Sequence, residues 1–418
     1  SYIGNLFSDL NILAEKFLLY IHINKNYTYE KFLIEELKER DIDEAMEKKI
    51  RVFERKVNSE KSKVQDYYMN KIFIHDMKGF LIVDKTLTDS FRHDHTLNIL
   101  KLFLITLMES SLSLLVEEQR VKIKHDYSFL KHALEYLKNN SSEFEDSPLL
   151  MIYYYLWMCF FYEEDEKYFL KAKEVFRKHF SSLSKADKKN IYSGVQVYYL
   201  NKISGGDDSC NKEFLNFLLE MLKFNVLSHK KKDFINLNLY RNILILCLMQ
   251  KEINILKKFI SDYINFVGEE SRTSIFAYSN AHLSFLQGDF EKALELCNKI
   301  NFNDLLISTN DNLYFKNDIK SLSLKCLYEL NSFESVISHI DAFKHFLKNS
   351  KLIKEGSRKK YMNFLNSVND LVKFKINFEE YKFLQFKKKL VNTKELLHKD
   401  WIFEKISELD KKLPKNKN

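Results

Sequence analysis

"SFLQGDFEKALELCNKI" (Ser284–Ile300) places Gly288 between two apolar helical stretches, with Phe290 and Ala293 two and five residues behind it. Aligned on that glycine, "LKCLYELNSFESVISHI" puts Asn331, Phe333 and Val336 at the same places, and "LILCLMQKEINILKKFI" puts Lys251, Ile253 and Leu256 there. The offsets are 43 and 37 residues. Recurrence at such a period marks helix pairs that bury their apolar faces against neighbouring pairs. Each turn then needs a residue that tolerates positive φ.

Composition agrees with helices throughout. The 418 residues include eight glycines and two prolines, Pro148 and Pro414, too few to turn a chain made of many strands. Hydrophobic residues make up 45% and charged residues 30%, which excludes wholesale disorder. The expected class is all-α.

Ala281, Ser284, Gly288, Phe290 and Ala293 fall at the small, aromatic, glycine, aromatic and alanine positions of the tetratricopeptide repeat, which the segment resembles. Phe333 repeats the second aromatic. Ser284 stands where that family has an aromatic, no proline closes the second helix, and the period exceeds the family's usual length of about 34 residues. The resemblance implies an α-solenoid of antiparallel helix pairs wound as a right-handed superhelix, with Ala281, Gly288, Phe290, Ala293 and Phe333 as packing residues. The whole chain, from "GNLFSDLNILAEKFLLY" to "VNTKELLHKDWIFEKISEL", also resembles a broad family of uncharacterised bacterial helical-repeat proteins. That second resemblance carries no activity to these residues.

Working outward, helix pairs are expected at 150–162 with 165–181, 186–203 with 211–226, 234–249 with 252–266, 271–287 with 290–301, and 316–330 with 333–348, capped by 354–375. Residues 1–146 read as a divergent helical region, with helices at 8–23, within 27–57, and at 64–84, 92–118 and 126–139. "NNSSEFEDSP" (Asn139–Pro148) is the expected boundary before the repeats of 147–376. Residues 377–418 read as a basic amphipathic helix and tail, on the spacing of Leu390, Leu397, Ile402, Ile406, Leu409 and Leu413. That helix would dock on the array or on a partner, a second copy included.

The search for chemistry finds no phosphate-binding glycine loop, nucleophile elbow or His-Glu-x-x-His helix, so the chain reads as noncatalytic, with no cofactor. Cys159, Cys210, Cys247, Cys297 and Cys326 are odd in number and widely spaced, which suits a reducing, cytoplasmic compartment. The most apolar windows contain charges or stop at 14 residues, so no membrane span is expected. "RHDH" (Arg92–His95), with His75 and Asp76 upstream, is the most ligand-like cluster, but it reads as a polar helix start. "EEDE" (Glu163–Glu166) reads as a solvated acidic turn.

Two functional readings remain. In "MIYYYLWMCFFY" (Met151–Tyr162) aromatics encircle the helix, and Tyr154 and Trp157, continued by Tyr198 and Tyr199, are candidate anchors for a peptide on the concave face of the array. A protein- or peptide-binding scaffold follows. The alternative is a regulatory or nucleic-acid-associated factor that contacts phosphates through Lys387, Lys388 and Lys389, because residues 351–418 hold 18 Lys plus Arg against 9 Asp plus Glu.

Overall fold

In the computed structural model the described residues are 2–23, 27–81, 89–120, 124–162, 166–204, 207–224, 226, 235–305, 309–353, 355–393 and 395–411. Among them are nineteen α-helices and no strand. The chain divides into two compact units, residues 1–205 and 206–418, each with its own core.

The first unit contains α1 (Tyr2–Ile23), α2 (Thr28–Glu39), α3 (Asp43–Asn58), α4 (Gln65–Leu81), α5 (Asp89–Arg120), α6 (Ser128–Asn139), α7 (Pro148–Phe161), α8 (Glu166–His179) and α9 (Lys185–Ser204). Apolar residues at helical spacing, Met46, Ile50, Phe53 and Val57 on α3, close a core with Ile34 and Ile74 from α2 and α4. The long α5 is the hub, packed by α4, α6, α7 and α9. Its apolar stretch is long enough, by length and composition, to cross a membrane. Its charges nevertheless have protein partners: Lys101 donates to Asp146 Oδ1 at 2.5 Å, and Glu109 accepts from Gln65 and Asn190. Gly194 lets α9 approach, since a Cβ there would lie 3.2 Å from side chains of both Leu112 and Leu156.

The segment 139–148 lies within this unit. Phe144 is fully buried, and Asp146 binds both Lys63 and Lys101. Although burial alone would raise the Asp146 pKa, those two lysines hold it below its ordinary value.

The second unit contains α10 (Asn211–Lys223), α11 (Leu237–Met249), α12 (Ile253–Tyr263), α13 (Glu269–Leu286), α14 (Phe290–Asn298), α15 (Thr309–Glu329), α16 (Phe333–Asn349), α17 (Glu355–Ile376), α18 (Glu380–Val391) and α19 (Lys399–Asp410). Consecutive helices pack from α10 through α17, and α11 also meets α13, which meets α15. Caps fix two of the starts: Asn236 accepts from the Asn238 and Leu239 amides, and Asp289 accepts from the Lys292 amide.

The three aligned turns share one geometry. Lys251, Gly288 and Asn331 have φ of 54, 81 and 56°. The residue after each donates back across the turn at 3.0 Å: Glu252 N to Cys247 O, Asp289 N to Ser284 O, and Ser332 N to Leu327 O. This is the left-handed helix C-terminus, which satisfies carbonyls the helix leaves unpaired. A fourth copy lies between α2 and α3, where Asp41 has φ 54° and Ile42 N donates to Leu37 O at 3.0 Å. Seven residues before and five after each left-handed residue, the side chain is at most 1% exposed: Ile34 and Met46, Leu244 and Leu256, Ala281 and Ala293, Leu324 and Val336. The aromatics Phe290 and Phe333 are half-buried behind their turns, packed on Phe285 and Tyr328.

The C-terminal end is two helices where one amphipathic helix was expected. The chain breaks between Leu390 and Leu397, and His398 adopts φ 52° just before α19. Phe383, Phe386, Leu390, Trp401, Ile402, Ile406 and Leu409 belong to the same core as α16 and α17, so the apolar faces of α18 and α19 are used inside the unit. Leu413 and the rest of the tail from 412 lie outside the described residues.

Candidate functional site

The aromatic helix α7 does not form the expected surface. Tyr154, Trp157, Tyr198 and Tyr199 are all buried. Trp157 Nε1 donates to the Met108 carbonyl at 3.1 Å, and Tyr198 stacks on Phe169 with ring centres 3.7 Å apart. Burial leaves no aromatic rim for a ligand at these four residues, while Tyr155, Phe160 and Phe161 of the same helix are half-buried. Most of "EEDE" lies outside the described residues.

The "RHDH" segment is helical, as the start of α5, and its residues separate. His93 and Asp94 are exposed, while His95 turns toward α4, where Nε2 lies 3.5 Å from Asp76 Oδ1 and the ring sits 5.5 Å from that of His75. His75, Asp76, Arg92 and His95 line a cleft of about 360 Å³ with Gly79, Phe91 and Thr96. Burial, then the nearby Lys71 and His95, lowers His75 to about 4. Among the described residues no group of three or more His, Cys, Asp and Glu is placed to hold a metal ion. The five cysteines are buried and none is joined in a disulfide among the described residues, and burial raises Cys247, Cys297 and Cys326.

Of the candidate basic contacts, Lys387 pairs with Asp410 at 2.6 Å, which joins α18 to α19. Lys388 and Lys389 are exposed.

A dense polar stripe lies on α15, a helix that also contributes Phe315, Ile319, Leu322, Leu324, Cys326 and Tyr328 to the core. Tyr314, Asp318, Ser321, Lys325 and Glu329 follow at intervals of four, three, four and four residues, one face of a helix. Arg241 from α11 grips Asp318 with two nitrogens, Nε to Oδ2 at 2.5 Å and Nη2 to Oδ1 at 2.8 Å. The Tyr278 hydroxyl of α13 donates to the same carboxylate at 2.7 Å, and the Arg241 guanidinium lies 5.3 Å from the Tyr314 ring. At the other end, Trp401 Nε1 and Lys405 Nζ of α19 donate to Glu329 at 2.7 and 2.9 Å. Burial alone would lower the Lys405 pKa, but the carboxylates of Glu408 and Glu329 more than offset it and raise it.

Between these two satisfied carboxylates stands Lys325. Its ammonium has no ion pair among the described residues and lies 4.7 Å above the Phe285 ring. Burial lowers it to about 8, against the weaker pull of Asp318 and Glu329. His282, one turn beyond Tyr278 on α13, is 7% exposed, and its Nε2 has no hydrogen-bond partner. Burial lowers it to about 3. His398 packs on Phe364 with ring centres 4.8 Å apart, and burial, followed by the charges of Lys325 and His282, also lowers it. Asn317 Oδ1 and Ser321 Oγ are further buried atoms without a partner. Tyr314 at the end of the stripe is exposed. The arrangement supplies two fixed ion pairs as walls, a lone ammonium and unsatisfied imidazole nitrogen between them, and an exposed aromatic at one end.

Sequence reasoning did not find this face. The signal was present as Tyr314, Asp318, Lys325 and Glu329 at helical spacing, but Lys316, Asn317 and Lys320 between them masked the stripe. No family model, no curated protein and no solved structure matches the chain.

Proposed function

We propose that the chain is a noncatalytic, cytoplasmic scaffold whose antiparallel helix pairs form a tetratricopeptide-like solenoid, and that it binds a peptide or an extended segment of a partner protein. The binding surface on this reading is the polar face of α15, flanked by α11, α13 and α17, in place of the aromatics of α7 and α9. The observation that carries it is the lone cation and the unpartnered buried polar atoms of that face, set between ion pairs that hold its walls. Buried polar atoms without partners cost free energy, and a ligand that satisfies them recovers it. The four equivalent turns support the repeat architecture.

The test is selection of binders from a displayed peptide library by the purified chain, followed by titration of the selected peptides into Tyr314→Ser. Tyr314 is exposed, so the variant is expected to fold, and an affinity loss of about fivefold or more fits an aromatic contact at the end of the polar face. Unchanged affinity, or no selected binder, rejects the reading.

A further inference from the structure

We infer that Lys325, together with His282 and His398, forms an anchor for a carboxylate group of the ligand. The inference deepens the peptide-binding reading and rests on it for the identity of the ligand, but not for the presence of the anchor.

The argument begins with charge. Arg241 is matched by Asp318, and Lys405 by Glu329, Glu404 and Glu408, so Lys325 is the cation of this face with no carboxylate at ion-pair distance among the described residues. An ammonium held among helices without a counter-ion is an incomplete pair, and the missing member is an anion. The neighbours choose its kind. The His282 Nε2 atom, nine-tenths buried and unpartnered, can donate one further hydrogen bond in its Nε2–H tautomer. His398 is brought to the site by a backbone at φ 52°, a strained conformation for a residue with a Cβ. Asn363 Nδ2 holds the preceding segment by donating to the Glu395 carbonyl at 2.7 Å. The site thus offers one charge and two neutral imidazoles, which suits a singly charged carboxylate better than a doubly charged phosphate. The aromatic rings of Phe285 and Phe364 beside these groups exclude water and strengthen the pairing.

A carboxylate can come from a peptide C-terminus, an acidic side chain or a small organic acid, and the experiment separates them. Two pools of random hexapeptides, one with free and one with amidated C-termini, are incubated with the full chain, and retained peptides are read by mass spectrometry. Succinate is titrated separately by calorimetry. The parallel samples are Lys325→Met, Lys325→Arg and His282→Gln, each checked for helicity.

Retention of the free pool about tenfold above the amidated pool, lost in Lys325→Met and partly kept in Lys325→Arg, is the expected result for a terminal carboxylate. Equal retention of both pools with enrichment of Asp and Glu, again lost in Lys325→Met, assigns the anchor to an acidic side chain. Binding at pH 8 is further expected to take up protons, seen as a dependence of the heat on buffer ionisation, because a bound anion favours the charged amine. Equal retention that is indifferent to Lys325→Met overturns the anchor and leaves the peptide-binding reading standing. Succinate binding that depends on Lys325, with neither pool retained, keeps the anchor and rejects the peptide. Retention of neither pool together with no succinate binding overturns both. If Lys325→Met loses its helicity, His282→Gln with the same readout decides.

Discussion

Helices α7 and α15 are both enclosed by neighbours, yet they are built on opposite principles. On α7, apolar and aromatic side chains cover every face, and the indole nitrogen finds a backbone carbonyl. On α15, one face carries five polar side chains, of which two carboxylates are fully paired and one ammonium is not. A covered aromatic belt maximises buried area, whereas an incompletely paired polar stripe gives up stability and leaves hydrogen-bonding capacity unused. Enrichment in Tyr and Trp therefore marks the more stable of the two helices, and the candidate for recognition is the one with unmatched charge.

The contrast can be broken by substitution. Trp157→Ala is expected to have the largest effect, a loss of about 4 kcal/mol from cavity formation, seen in urea unfolding of the intact chain. Arg241→Met is expected to cost about 3 kcal/mol, because it leaves the Asp318 carboxylate, 11% exposed, with only the Tyr278 hydroxyl. Lys325→Met is expected to move the other way and stabilise the chain at pH 7 by about 1 kcal/mol, since it removes a cation that burial disfavours. A loss at Lys325 equal to that at Arg241 would mean that the ammonium is paired after all.

Acid tests the same face. The His282 pKa is depressed in the fold, so between about 6.5 and about 3 the unfolded chain binds the proton that the folded chain refuses. Its contribution to stability is complete above about pH 6.5 and declines as pH falls through that window, by at most about 1.4 kcal/mol per pH unit. His282→Gln is expected to flatten this part of the stability profile. The smallest effects belong to the turns: Lys251→Gly is expected to raise stability, and Gly288→Ala to lower it, each by about 1 kcal/mol in thermal unfolding.

Much of the helical plan was legible because periodicity and turn chemistry are local. The pairs around Lys251, Gly288 and Asn331 begin and end within a few residues of their expected places, except that α15 starts earlier. The copy at Asp41 was hidden because Asp43 stands where Ile253, Phe290 and Phe333 follow the later turns. Leu390 and Leu397 suggested one continuous helix, but tertiary contacts through Trp401 and Asn363 outweigh that spacing and break it. The α7 belt showed its apolar nature but not its partners, which come from α5, α6, α8 and α9. The site on α15 depends on Arg241, Tyr278, His282 and Trp401, up to 160 residues apart along the chain.

The residues that flank each turn also act as spacers. On α13 and α14 these residues are the fully buried Ala281 and Ala293, and that pair of helices makes the most extensive contact of the four. Leu244 with Leu256, Leu324 with Val336, and Ile34 with Met46 set bulkier wedges between their helices. Since the turns themselves are alike, side-chain volume at these two places is the adjustable quantity. Exchanging a small couple for a large one would widen a single hairpin while its hinge stayed the same, and would shift how far α13 carries His282 toward α15.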